Sequence, residues 1–128
     1  HFQTRFTQGK LVRVTKGRVW DVAVDLREGS ETFGKWCGLE LSEENKKMFY
    51  VPEGFAHGFL TIEDETEFQY KCTDYYAPEF DAGIIWNDET VGIQWPCEEY
   101  GIKMEELLIS GKDQVLPKIE DRKLIENV

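Results

Sequence analysis

The chain has 128 residues, 41% of them hydrophobic and 31% charged, which suits one globular domain over residues 1–128 with a core of its own. A formal charge of −10, with no basic run to interrupt it, argues against nucleic acid and against anionic membrane as partners. A nucleotide ligand stays open, because a few Lys or Arg side chains in one pocket can hold a diphosphate.

The sequence opens at His1 without a Met and reaches strand-like material almost at once, which places the expected start of the protein upstream. Leu11, Val12 and Val14 alternate before Lys16-Gly17. Trp20, Val22, Val24 and Leu26 then form one apolar face, so the two runs predict a hairpin. The opposite face of the second run carries Val19, Asp21, Ala23 and Asp25, a pattern that suits either solvent or a polar barrel lumen. Further strands are predicted over Lys35 to Leu41, Met48 to Val51, His57 to Ile62, Thr66 to Cys72, Gly83 to Trp86 and Val91 to Trp95, with Gly, Pro, Asn and Asp turns between them. Helix is expected around Lys103 to Leu108, and the charged tail from Ile119 to Val128 is expected on the surface. Short strands at this spacing predict an all-β antiparallel sandwich, jelly roll or barrel.

Cys37, Cys72 and Cys97 are odd in number, widely spaced and without a C-x-x-C pair, so they read as reduced thiols of a cytoplasmic protein. No apolar window long enough to span a membrane and no basic-then-apolar leader is visible.

Pro52-Glu53-Gly54-Phe55-Ala56-His57 places a His at the start of a strand after a tight turn, in the P-x-G-x-x-H pattern of the cupin signature. His1 and His57 are the only histidines, so a three-histidine metal site within one chain is excluded and no metal is expected. His57 alternatively reads as a hydrogen-bonded structural residue. Phe68, Tyr70 and Cys72 share one strand face, so Tyr70 is either a core tyrosine with its hydroxyl at the rim or a chemical group. Tyr75 and Tyr76 suit surface aromatics or a platform on which a base stacks. Ser110-Gly111-Lys112-Asp113 taken alone is a polar surface loop, and Lys10 alone is an ordinary lysine.

Taken together, these segments resemble one family over nearly the whole chain. His1-Phe2-Gln3, Gln8 to Val14, Asp21 to Arg27, Thr32 to Trp36 and Pro52 to Phe59 carry the likeness, with Tyr70-Lys71, Tyr75-Tyr76, Trp86-Asn87-Asp88, Trp95-Pro96 and Ser110 to Asp113. The family is the dTDP-4-dehydrorhamnose 3,5-epimerases. The resemblance implies a cupin-like jelly roll with a minor C-terminal helix, a homodimer, a dTDP-sugar substrate and no cofactor. It implies that His1 is the catalytic base, Tyr70 the proton donor and Asp113 the carboxylate paired with the base. Lys10 and His57 would then be pocket residues near the sugar, Lys112 and Asp81 further substrate contacts, and Tyr76 the aromatic on the thymine ring. Asp21 is grouped with the substrate-binding set. Family members carry several dozen residues ahead of this His, with interface strands and nucleotide-binding side chains. A chain without them is expected to be less stable and less active.

The chemistry suits these groups. Epimerising a carbon beside a ketone means removing a C–H proton, holding the enolate and returning a proton to the opposite face. An imidazole steered by a carboxylate is a suitable base, a phenol is a neutral acid, and a cationic or donor group stabilises the enolate oxygen. Alternatives are an enzyme that inverts one carbon of another dTDP-deoxysugar, or a non-catalytic sugar-nucleotide-binding module.

Overall fold

The computed structural model describes residues 1–126. Eight strands alternate with irregular chain: β1 (Phe2–Gln3), β2 (Lys10–Lys16), β3 (Arg18–Asp25), β4 (Trp36–Ser42), β5 (Met48–Val51), β6 (Phe55–Thr61), β7 (Glu67–Cys72) and β8 (Asp81–Ala82). All pairings are antiparallel and form two three-stranded sheets, ordered β5-β2-β7 and β4-β3-β6, beside the small pair β1-β8.

β2 and β3 do not form the predicted hairpin. β2 pairs β5 and β7, whereas β3 pairs β4 and β6, so the chain passes from one sheet into the other across a single residue. That residue, Gly17, has φ +81° and too little space for a side chain, since a Cβ there would lie 2.4 Å from Thr66 Oγ1. One residue cannot close a two-residue hairpin turn, and glycine supplies the left-handed corner instead. The alternation was sound but carried no information on which sheet each strand joins.

Both faces of β3 are covered. Val19 packs with Val12, Val14 and Leu41, which joins the two sheets, so the Val19-Asp21-Ala23 face looks into the interior as a polar lumen would. The other face, through Val24, meets Phe2, Ala56, Ala82, Val91 and Ile119, with Ile84 and Ile93 against them. Residues 83–86 and 91–95 therefore cover a sheet as irregular chain rather than extend one as strands, and this corrects both expectations. The expected helix at 103–108 reduces to the 3-10 turn Met104–Glu106, beyond which Leu108 is fully exposed. The α-helix lies instead at α1 (Gly111–Gln114), where Ser110 accepts from the Asp113 N–H at 3.2 Å as an N-cap. In the tail, Ile119 is buried and its backbone N–H donates to the Asp88 carboxylate at 2.8 Å, while its neighbours are mostly exposed; residues 127 and 128 lie outside the described residues.

Trp20 sits between Trp36 and Trp95, with ring centroids 5.9 and 5.4 Å away, and its indole covers Gly38. A methyl at residue 38 would lie 2.1 Å from Trp20 Cζ2, and the flanking indoles leave the ring nowhere to swing. Gly38→Ala is expected to cost about 1–3 kcal/mol by overpacking. Denaturant titration checks this, and an unchanged midpoint would show that the indole has room to yield. At the far end of β3, the buried Asp25 carboxylate accepts from the Arg27 backbone N–H, the Arg27 guanidinium and Ser30. These bonds, led by Arg27, hold its carboxyl well below the usual carboxylate range and close the loop before β4.

Candidate active site

A cavity of about 990 Å³ opens between β6 and β7, the edge strands of the two sheets, and is closed at one end by β8 and α1. Strand alternation sends His57 and Phe59 into it from β6, and Phe68 and Tyr70 from β7. Their rings form a continuous aromatic wall: His57 stacks on Phe68 at 6.1 Å, Phe59 on Phe68 at 4.6 Å, and Phe68 meets Tyr70 at 5.9 Å. Tyr70 is 56% exposed, which excludes the core-tyrosine reading and leaves its hydroxyl to the cavity. Lys10 of β2 lies with its ammonium 5.9 Å from the centre of the Tyr70 ring. Burial pushes the Lys10 pKa down, opposed by the negative groups around it.

His57 is buried, and its Nε2 contacts both oxygens of Asp21 at 2.8 and 2.9 Å. Burial pushes the Asp21 carboxyl up, opposed by its bond to His57. Asp21 does not itself line the cavity and acts on it through its bond to His57 and its charge on Lys10. The two readings of His57 merge, since one ring is both hydrogen-bonded support and cavity wall.

His1 lines the cavity beside His57. Its backbone exchanges hydrogen bonds with His57, 2.8 Å from the His1 nitrogen to the His57 oxygen and 3.0 Å in return, so the imidazole is fixed beside β6. His1 Nε2 lies 2.6 Å from Asp113 Oδ1, and His1 Nδ1 lies 3.8 Å from Asp81 Oδ1. The Lys112 ammonium donates to the other oxygen of Asp81. Asp81 and Lys112, expected as separate substrate contacts, are thus paired with each other. The Ser110–Asp113 run, a surface loop when taken alone, is the helical turn that delivers both Lys112 and Asp113 to the cavity.

Tyr76 lines the cavity mouth and is mostly exposed. Its approach is held by Gln3, whose amide donates to Phe6 O at 2.8 Å and to Tyr75 O at 3.3 Å and accepts from Ala77 N at 2.9 Å. Gln3, Phe59 and Phe68 were missed as site residues by sequence reasoning. The period-two spacing of Phe59 from His57 and of Phe68 from Tyr70 could have found the two phenylalanines, while nothing local marks Gln3 as the anchor of a segment more than seventy residues away. Among the described residues no group of three or more His, Cys, Asp or Glu is arranged to hold a metal ion, and no helix is long and apolar enough to cross a membrane.

Residues 1–121 match the family described as dTDP-4-dehydrorhamnose 3,5-epimerase. The chain belongs to that family. It is 54% identical over 114 residues to the dTDP-4-dehydrorhamnose 3,5-epimerase of Methanothermobacter thermautotrophicus, a match covering 89% of this chain and 60% of the relative. It is 49% identical over 127 residues to that of Salmonella typhimurium, covering 98% and 66%. The crystal structure of dTDP-6-deoxy-D-glucose-3,5-epimerase from Legionella pneumophila in complex with dTDP-4-keto-L-rhamnose superposes with a TM-score of 0.86 at 46% identity, covering 94% of this chain and 61% of that one. The chain thus spans about three-fifths of the length of these epimerases. The likeness to a solved epimerase, together with the antiparallel strands and scant helix, bears out the expected all-β, cupin-like jelly roll.

Proposed function

We propose that this protein is a cofactor-independent 4-keto-sugar epimerase that inverts C3 and C5 of dTDP-4-dehydro-6-deoxy-D-glucose to give dTDP-4-dehydro-L-rhamnose. The observation that carries this reading is a carboxylate-bound imidazole and an exposed phenol on different walls of one cavity, His1–Asp113 and Tyr70. The names of the relatives and the keto-sugar bound to the Legionella enzyme support the substrate class.

With Nε2–H donated to Asp113, the Nδ1 lone pair of His1 accepts a proton from the carbon beside the ketone, the C–H electron pair forms the enolate C=C bond, and the carbonyl π pair moves onto the C4 oxygen. Lys10 and His57 face that developing charge. Tyr70 then gives its phenolic proton to the carbon from the other side, the enolate pair forms the new C–H bond, and solvent takes the proton from the His1 imidazolium and re-protonates the phenolate. Repetition at the second flanking carbon completes the isomerisation, and Tyr76 offers its ring to the base of the nucleotide.

Two clusters that share β3 support residues 1–128 as one domain. The exposed Leu11, Met48 and Tyr50 on the outer face of the β5-β2-β7 sheet support a homodimer formed there. The unpaired Cys37, Cys72 and Cys97 support a reducing, cytoplasmic setting.

Incubation with dTDP-4-keto-6-deoxyglucose in heavy water tests the function. Deuterium is expected at both C3 and C5 with L-configured product. Label at a single carbon would make the protein a monoepimerase, and no label with retained binding would make it a sugar-nucleotide-binding module.

A further inference from the structure

The imidazole of His1 lies between two carboxylates. Asp113 of α1 bonds Nε2 at 2.6 Å, and Asp81 of β8 stands 3.8 Å from Nδ1, the nitrogen that must meet the substrate if His1 is the base. A second carboxylate at that nitrogen works against a base. It stabilises the imidazolium, so the neutral form becomes scarcer, and it occupies the lone pair's direction. The structure answers this with the residue next to Asp113 in sequence, because Lys112 donates its ammonium to the far oxygen of Asp81. That contact pushes the Lys112 pKa up, so the lysine stays charged through the neutral range.

We infer that Lys112 is a positioning residue, whose ammonium neutralises Asp81 and holds it away from His1 Nδ1 so that Asp113 alone partners the catalytic imidazole. One turn of helix thus presents two opposite charges to two different carboxylate-linked tasks. Asp113 orients the base, and Lys112 disarms the competing acid. The other charged or titratable groups around this pair are Lys10 of β2, which faces Asp81, His57 of β6, which meets His1 through backbone bonds and spends its own ring on Asp21, and Tyr76 beside Lys112. Lys10 is drawn toward Asp21 and Cys72 as well as Asp81, so it is not a substitute for Lys112.

The inference rests on the epimerase reading for its kinetic consequence, yet the charge effect on His1 can be read without turnover. Titration of the two histidines by NMR in the substrate-free chain, with Asp113→Asn used to assign the His1 resonance, measures it directly. Lys112→Met is expected to raise the His1 pKa by about one unit, because a freed carboxylate favours the charged imidazole. The acidic limb of the kcat/KM profile for deuterium exchange should move up with it. Lys112→Arg should restore both, since the charge returns, and Lys112→Met combined with Asp81→Asn should cancel the shift. An unchanged His1 titration in Lys112→Met, with only KM raised, would overturn the inference and leave Lys112 a simple substrate contact; so would a shift that survives Asp81→Asn. A shifted titration with no exchange in any variant, wild type included, would uphold the positioning role and remove the epimerase reading.

Discussion

Tyr70→Phe is expected to lower inversion by about two to four orders of magnitude, the usual worth of a positioned general acid, while leaving the fold intact. The ring keeps its contact with Phe68, and the hydroxyl that is lost belongs to a half-exposed side chain facing the cavity, so no buried partner is orphaned. Exchange of the sugar C–H with solvent should persist, because His1 still forms the enolate and can return a proton to the face it came from. Deuterium incorporation therefore outlives product formation in this variant. Stereochemical analysis of the recovered sugar alongside its label measures the split, and a Tyr70→Phe protein that still makes inverted product at the normal rate would take Tyr70 out of the chemistry.

His1→Ala is expected to abolish exchange and inversion together, since no other group on that wall is both basic and hydrogen-bonded to Asp113. The backbone bonds between residues 1 and 57 do not depend on the side chain, so the β1–β8 corner should stay in place. Far-UV and near-UV circular dichroism should match the parent, with a thermal midpoint close to it. Residual exchange at the parent's rate would assign the base elsewhere. The contrast between the two variants is the sharper result: loss of the acid uncouples labelling from inversion, whereas loss of the base removes both.

Much of the fold and of the candidate site is legible in the sequence, and what is not legible has physical causes. Period-two alternation placed the strands around Asp21, His57 and Tyr70 because each is long enough to show two faces, but it left open whether the Asp21 face meets solvent or a lumen, which only the packing of the second sheet decides. It did not show that β2 and β3 lie in different sheets, since a glycine corner and a hairpin turn read alike in a single chain. Residues 83–86 and 91–95 read as strands in the sequence because a segment that covers a sheet needs the same apolar side chains as a segment that belongs to one; only backbone pairing separates them. The helical turn at Ser110 was spelled out by a serine three residues ahead of the Asp113 N–H it caps, but four residues are too few for periodicity to register. The roles of His1 and Asp113 came from resemblance, and no local pattern links two residues 112 positions apart. The pairing of Asp81 with Lys112 was beyond either route, because both residues were matched to the substrate and only geometry joins them to each other.

The way β2 is paired bears on how the protein must fold. Its first residue, Lys10, lies opposite Val51 on one side and Cys72 on the other, and β1 finds its partner only at Asp81–Ala82. Most ladders therefore close large loops, which makes folding slow and leaves little native structure for any fragment to hold by itself. The cavity inherits this property. The proposed base and acid, the lysine beside the acid and the carboxylate behind the base are residues 1, 70, 10 and 113, which meet only when both sheets and the covering chain are in place. No early intermediate can carry a working site, so recovery of activity after dilution from denaturant is a late-arriving clock for completion of the whole architecture.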